Sequence, residues 1–319
     1  MSIIVGHHRQ REYLNKVIKR GRLAHAYLFS GPEGAGKLRI ANTLAKSFFC
    51  DKKQDRFESA CERCVPCMQI EEHRHGNTFF LDTKHALVSE KEKRKDIPIE
   101  DIRELKRQFA LSGPNGEWRV VIVNEAEKLN GESASAFLKL LEEPAPYSLF
   151  LLVTAHEGLL METIRSRAQS VRFGLVGKED LLFFAEKAGL SGARLERAVW
   201  LAEGRPEVLT RLCADSAFFE SAEKKAKFMD QILRAPIPDI LRAAERIAED
   251  PEKKKDAVRF LFVALRNMLY RQDAAPRIKT LVSVLKKADR IQYLMETTNV
   301  NPRLALDVLF LEARRVYTG

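Results

Sequence analysis

The stretch SGPEGAGKLRI, Ser30 to Ile40, sets glycines and a lysine at the spacing Gly-x4-Gly-Lys. Glycines so placed let backbone N–H groups converge on phosphate oxygens, the dipole of a following helix favours negative charge, and the lysine reaches the terminal phosphates. The candidate phosphate ligands are therefore Gly31, Gly34, Gly36 and Lys37. The next position holds Leu38, where a serine or threonine would offer Mg²⁺ a hydroxyl; leucine offers nothing. A second element is VVIVNEAEKL, a run of β-branched residues ending in Asn124 and Glu125. Nucleotide hydrolases built on such a loop end this strand in Asp-Glu, the Asp anchoring Mg²⁺ and the Glu polarising the attacking water. Asn124 keeps a neutral carbonyl oxygen but no charge, while Glu125 remains. Both protein contributions to Mg²⁺ are weakened together, so the expectation is a loop able to hold ATP or ADP with weak Mg²⁺ binding and weak or absent hydrolysis.

Cys50, Cys61, Cys64 and Cys67 form a second chemical cluster. Four thiolates suit a tetrahedral, structural Zn²⁺, and the two Cys-x2-Cys steps wrap three ligands round one ion. His73 and His75 could compete as ligands, but four cysteines already close such a site. Cys213 stands far off among helical residues and reads as a core thiol.

The elements that must position these residues follow from apolar patterning. Ala24 to Phe29 reads as a buried strand entering the glycine loop, and Leu38, Ile40, Ala41, Leu44, Ala45 and Phe48 carry helical spacing directly after it. Val120–Val123 and Leu149–Thr154 are further strands, with a fourth around Val171. Continuous Val/Ile/Leu runs alternating with helices point to a parallel sheet covered on both faces, an α/β fold. Residues 50–98 interrupt it as an insertion that carries the cysteines and the charged run SEKEKRKD. Beyond about residue 175 only helical spacing is found, broken by Gly189, Gly192, Gly204, Pro206, Pro236, Pro238 and Pro251. The expected organisation is an α/β domain over 1–174, a small helical domain over 175–213 and an all-α domain over 214–319. FLFVAL, Phe260 to Leu265, is apolar nearly all round and predicts a buried helix.

A formal net charge of +10 is compatible with a phosphate-rich partner and equally with lysines on solvated helix faces. In EKEKRK, Glu90 to Lys95, the mixed signs suit a solvated loop better than a DNA contact. MSIIVGHHRQ runs through only three apolar residues before charge begins, and runs such as LFLLV are far too short for a bilayer. No secretory leader and no membrane contact are expected, and the expected location is cytoplasmic.

Further motifs carry a family resemblance over nearly the whole chain. Leu141-Glu142-Glu143-Pro144, the strand end at Thr154, and Thr163-Ile164-Arg165-Ser166-Arg167-Ala168 resemble the Leu-Glu-Glu-Pro turn and Thr-Ile-x-Ser-Arg-Cys segment of the clamp-loader branch of the AAA+ superfamily. The opening VGHHRQREYLNKVIKRGRLAHAYLFSGPEGAGK and the tail NVNPRLALDVLFLEAR are similar to its bacterial members. The resemblance implies an AAA+ domain, a helical lid and a collar that joins a hetero-oligomeric ring, and it implies a zinc module in the same insertion. Such a ring, with delta-type and gamma/tau-type subunits, opens a sliding clamp and places it on primed DNA; no polymerase chemistry is implied for this chain. In the family the Ser-Arg-Cys arginine reaches the ATP of a neighbouring subunit, which makes Arg167 an arginine finger in trans. Thr154 resembles the position that senses γ-phosphate, and Arg205 falls where ATPase relatives keep a phosphate-sensing arginine. An active motor ATPase is the alternative, favoured by the Gly-Lys loop and Glu125 and opposed by Leu38 and Asn124. A separate zinc-bearing, DNA-binding AAA+ regulator is a further alternative, supported only by charge and cysteines.

Overall fold

Runs of Val, Ile, Leu and Phe become five parallel strands: β1 Ala26–Ser30, β2 Thr78–Leu81, β3 Arg119–Asn124, β4 Ser148–Thr154 and β5 Gln169–Arg172. Their order in the sheet is β2-β3-β4-β1-β5. In this computed structural model the described residues are 4–52, 57, 60–85, 87, 94–111, 116–269, 278–297 and 300–318. Only Arg94 and Lys95 of the EKEKRK run fall within them, so the solvated-loop expectation for that run lies mostly outside the described residues.

The described residues form two compact units, one of 1–184 with 204–207 and one of 185–203 with 208–319. The first unit holds the sheet together with α1 His8–Lys19, α2 Lys37–Phe49, α3 Val65–Glu71, α4 Ile99–Leu111, α5 Gly131–Glu142, α6 Glu162–Arg165 and most of α7 Lys178–Lys187. Both faces of the sheet are apolar because successive side chains point to opposite sides and both sides are covered. Ala26, Leu28, Val121, Val123, Phe150 and Leu152 pack with Leu105 of α4 and Phe137 of α5. Tyr27, Phe29, Val120, Ile122, Leu151 and Val153 pack on the other side with Leu14 of α1 and with Ile40 and Leu44 of α2. Asn130 starts α5 by accepting a 2.9 Å hydrogen bond from the Ser133 N–H, a side-chain N-cap.

The expected α/β class is the one observed, with one strand more than the sequence reading found. β2 lies inside the stretch 50–98 assigned above to the insertion. Its four residues, TFFL, pair with β3 from Thr78↔Val120 to Leu81↔Val123 and form the edge of the sheet.

The second unit is helical among its described residues: α8 Gly192–Ala202, most of α9 Pro206–Ala214, α10 Ser216–Arg234, α11 Ile237–Ala248, α12 Pro251–Leu269, α13 Ile278–Thr297 and α14 Pro302–Thr318. Phe260, Leu261, Val263, Ala264 and Leu265 are buried, as their all-round apolarity predicts. Helix α14 is tied down by Arg314 Nε donating to the Ala235 carbonyl at 3.0 Å and by the Tyr317 hydroxyl on Asp230 at 3.0 Å. No helix among the described residues is long and apolar enough to cross a membrane.

β1 runs straight into the glycine loop, and the exit is sterically tight. The Phe173 N–H donates to the Ser30 carbonyl at 2.7 Å, extending the β1–β5 pairing by one residue. Gly31 follows at φ +144, where an added Cβ would stand 2.1 Å from the Phe173 carbonyl oxygen. No side chain fits there without moving backbone. Gly31→Ala is therefore expected to destabilise the first unit by on the order of 2–4 kcal/mol. Chemical denaturation read by circular dichroism checks this, with Gly76→Ala, where φ is not in the left-handed region and nothing lies within 4 Å, as the comparison.

Candidate functional site

A parallel sheet brings the carboxyl ends of its strands to one edge, and in α/β folds ligands sit beyond that edge where the strand order reverses. Here Ser30 at the end of β1 is in register with Thr154 at the end of β4, and Asn124 at the end of β3 is in register with Val153. The glycine loop, the Asn124-Glu125 pair and Thr154 therefore converge at one edge, as their spacing in the sequence could not by itself establish. β1 lies between β4 and β5, so the loop leaves an interior strand of the sheet, one in from the β5 edge.

The loop has a phosphate-cradling backbone. Gly31, Gly34 and Gly36 all take positive φ, and Gly36 is the N-cap of α2. Lys37, 5% exposed, turns its ammonium back onto the loop and donates to the carbonyls of Gly31 and Pro32, both at 2.7 Å. Burial holds the Lys37 pKa below its usual range, and the nearby charges of Glu207, Glu127 and Glu33 offset part of that effect. Leu38 packs against the core on the α2 side of the sheet. Asn124 is half-buried at its strand end. Neither residue supplies the hydroxyl or carboxylate that Mg²⁺ coordination favours at these two positions.

Glu125 is committed elsewhere. Its Oε2 accepts a 2.6 Å hydrogen bond from the Thr83 hydroxyl, just beyond β2. Thr154, 1% exposed, accepts from the His156 N–H at 2.9 Å and so caps its own turn. Arg167 follows α6 and is held by Glu142 at the end of α5, with Nη2 to Oε1 at 2.8 Å, while Nη1 donates to the Thr163 carbonyl at 3.0 Å. Its side chain is 37% exposed. Among the residues expected at the site, the loop, Asn124-Glu125 and Thr154 gather at the sheet edge; the contacts of Arg167 are with α5 and α6 instead.

The residue expected to sense phosphate from the second half of the chain was Arg205. Its aliphatic stem lies 3.3 Å from the position a Cβ would take on Gly34. Two residues on, the Glu207 N–H donates to the Gly34 carbonyl at 3.3 Å, which brings its carboxylate close enough to the Gly36 N–H for that group to favour the ionised form. Enough protein surrounds that carboxylate to push its pKa up, against the pull of Lys37, Arg39 and the Gly36 N–H, although the residue keeps an exposed surface. Glu207 and Glu127 were both missed in the sequence. Glu207 is separated from Lys37 by most of the domain, and no local spacing reports such a pairing. Glu127 lies two positions past Glu125; one of its carboxylate oxygens is buried with no hydrogen-bond partner.

The four cysteines come together as their spacing requires. Cys50 ends α2, Cys64 is the N-cap of α3 and Cys67 lies within α3. The four Sγ atoms lie within 4.8 Å of one another, with Cys64 and Cys50 sulfurs 3.8 Å apart. Four thiolates at Zn–S distances of about 2.3 Å in a tetrahedron stand about 3.8 Å from one another, so the donor set fits Zn²⁺. Backbone N–H groups, Arg63 first and Cys64 next, hold the Cys61 thiol down at about 6, whereas burial pushes the Cys50 and Cys67 thiols up. A cation is what would let the buried pair ionise with the other two. His73 stacks on Phe80 and His75 lies against the Phe49 ring, so neither belongs to the cluster. Cys213, expected in a core, is half-buried.

This module is clamped to the helix that leaves the phosphate loop. Lys46 on α2, 2% exposed, bonds Glu62 at 2.8 Å and Glu71 at 2.6 Å, one carboxylate from each side of Cys64 and Cys67. Burial works against its charge, but the two carboxylates outweigh it and hold the pKa above its usual range. Removing one member of a buried ion cluster leaves charge uncompensated. Metal analysis of chain prepared with zinc is expected to give about one Zn²⁺ per molecule. Chelation is expected to lower the thermal midpoint; less than about half an equivalent in metal-replete protein would contradict the site.

The family model described as "DNA polymerase III, delta subunit" matches residues 6–176. DNA polymerase III subunit delta' of Bacillus subtilis is 32% identical over 165 residues, 52% of this chain and 46% of that protein. The Pseudomonas aeruginosa subunit delta' is 30% identical over 195 residues, covering 60% of this chain and 57% of its own length. Subunit gamma/tau of Mycobacterium tuberculosis is 31% identical over 173 residues, 54% of this chain and 28% of that protein. The chain thus spans about half the length, or less, of these curated relatives.

Proposed function

From the premise that the chain belongs to the DNA polymerase III, delta subunit family, we propose that it is a delta'-type clamp-loader subunit that supports ATP hydrolysis in a ring without carrying it out. The observation that carries this is the paired absence of Mg²⁺ ligands beside an intact phosphate-loop backbone. Leu38 packs into the core and Asn124 is neutral, while Gly31, Gly34, Gly36 and Lys37 keep the cradle. Transferring a γ-phosphoryl group requires charge neutralisation at the β- and γ-oxygens, which a metal normally supplies through a loop hydroxyl and a strand-end Asp. This chain offers neither, and Glu125, the remaining candidate for orienting water, is bonded to Thr83.

Its chemical contribution is then made to another subunit. Arg167 presents a partly exposed guanidinium on the surface formed by α5 and α6. A permanently charged, planar fork suits charge spread over γ-phosphate oxygens. In isolation Glu142 holds the side chain, and such a partly exposed ion pair is weak enough to be exchanged for phosphate. In this reading Thr154, at the carboxyl end of β4, senses phosphate should one enter the loop.

In this account residues 1–174 are the AAA+ domain with its zinc insertion at about 50–98, 175–213 the lid, and 214–319 the collar that joins delta-type and gamma/tau-type subunits. Sliding clamp and primed DNA are met through the complex, in the cytoplasm. Zn²⁺ serves structure and takes part in no step. A motor ATPase of the gamma/tau type is the second reading, favoured by the retained Gly-Lys loop and by the gamma/tau relative.

In a reconstituted ring, Arg167→Ala is expected to lower steady-state ATP turnover by on the order of 10³-fold while leaving assembly, read by size exclusion, unchanged. Normal turnover in the assembled mutant ring would remove the finger assignment.

A further inference from the structure

We propose that Glu207 is a built-in occupant of the phosphate loop: its carboxylate takes the place of a nucleotide phosphate, and removing its charge opens the Gly31–Lys37 loop to a nucleoside diphosphate. The three residues that open α9 lie directly over the loop. The Arg205 side chain covers Gly34, with Cδ 3.3 Å and Cβ 3.4 Å from where a Cβ would stand. The Pro206 ring is 3.9 Å from the corresponding point on Gly36. Glu207 anchors itself through its N–H to the Gly34 carbonyl at 3.3 Å.

Its carboxylate then meets the groups that a phosphate would recruit. The Gly36 N–H, at the N-cap of α2, lies near it and, with the Lys37 and Arg39 cations, favours its ionised form, against burial and the nearby Glu33 carboxylate. Lys37, whose first electrostatic partner is Glu207, has meanwhile spent two of its donors on the Gly31 and Pro32 carbonyls. A helix N-terminus with convergent N–H groups attracts an anion, and here the anion is supplied by the chain itself. A tethered group competes as if present at millimolar or higher concentration. An incoming diphosphate must displace it and, until it does, meets like charge at close range.

The proposal rests only on the phosphate-loop geometry and not on ring membership, so the Arg167 experiment and this one fail independently. Fluorescently labelled ADP is titrated into the full chain without Mg²⁺, for wild type, Glu207→Gln, Glu207→Ala and Glu207→Ala/Lys37→Ala. Glu207 is exposed and outside every core cluster, so the variants should fold, which a thermal melt verifies. The expected result is binding about 10-fold tighter or more in both single variants than in wild type. Adding Lys37→Ala is expected to remove the gain, which assigns the new binding to the loop. Equal affinity in wild type and single variants overturns the proposal. So does an absence of binding in all of them, or a gain that survives Lys37→Ala.

Discussion

The site depends on one steric constraint, the close approach of β1 and the residue after β5. Ser30 accepts from the Phe173 N–H, and Gly31 then passes within 2.1 Å, measured from an added Cβ, of the Phe173 carbonyl. That contact sets where the chain leaves the sheet and hence where α2 begins. Gly34 and Gly36, both at positive φ, then carry the chain from this exit into α2. The loop is held by backbone geometry, so its shape does not depend on Leu38 or Asn124.

Charge distribution marks this site as much as its shape does. Lys37 lies near three carboxylates, Glu207, Glu127 and Glu33. A loop built to grip a nucleotide would face that lysine with phosphate, and its acids would be gathered where a metal could bridge them. At the opposite end of α2, Lys46 clamps the cysteine module through Glu62 and Glu71. One helix thus runs from the phosphate loop to the candidate zinc site, and ordering of the module bears on the same helix that forms the cradle.

Much of this was legible in the sequence because the signals were local. Gly-x4-Gly-Lys, Cys-x2-Cys-x2-Cys and the Val/Ile strands each fit within a few residues, and each produced the expected element. Strand β2 was hidden because TFFL is short and stands among charged residues and cysteines; its partner, Val120 to Val123, lies some forty positions on. The occupant of the cradle was hidden for a different reason. Arg205 carries the charge expected of a phosphate sensor and draws attention to itself, whereas Glu207, two positions on near the start of α9, lies near Gly36 and Lys37 without any local signal. The engagement of Glu125 by Thr83 and of Arg167 by Glu142 likewise depends on tertiary proximity, which no spacing rule reports.

The central claim is that this chain supports hydrolysis elsewhere and performs none itself. Steady-state ATP turnover by the purified full chain, with Mg²⁺ and with primed DNA added, tests it most directly. The account predicts turnover at the background level, unchanged by Lys37→Ala. Turnover well above background that disappears in Lys37→Ala would contradict it and identify the chain as a motor.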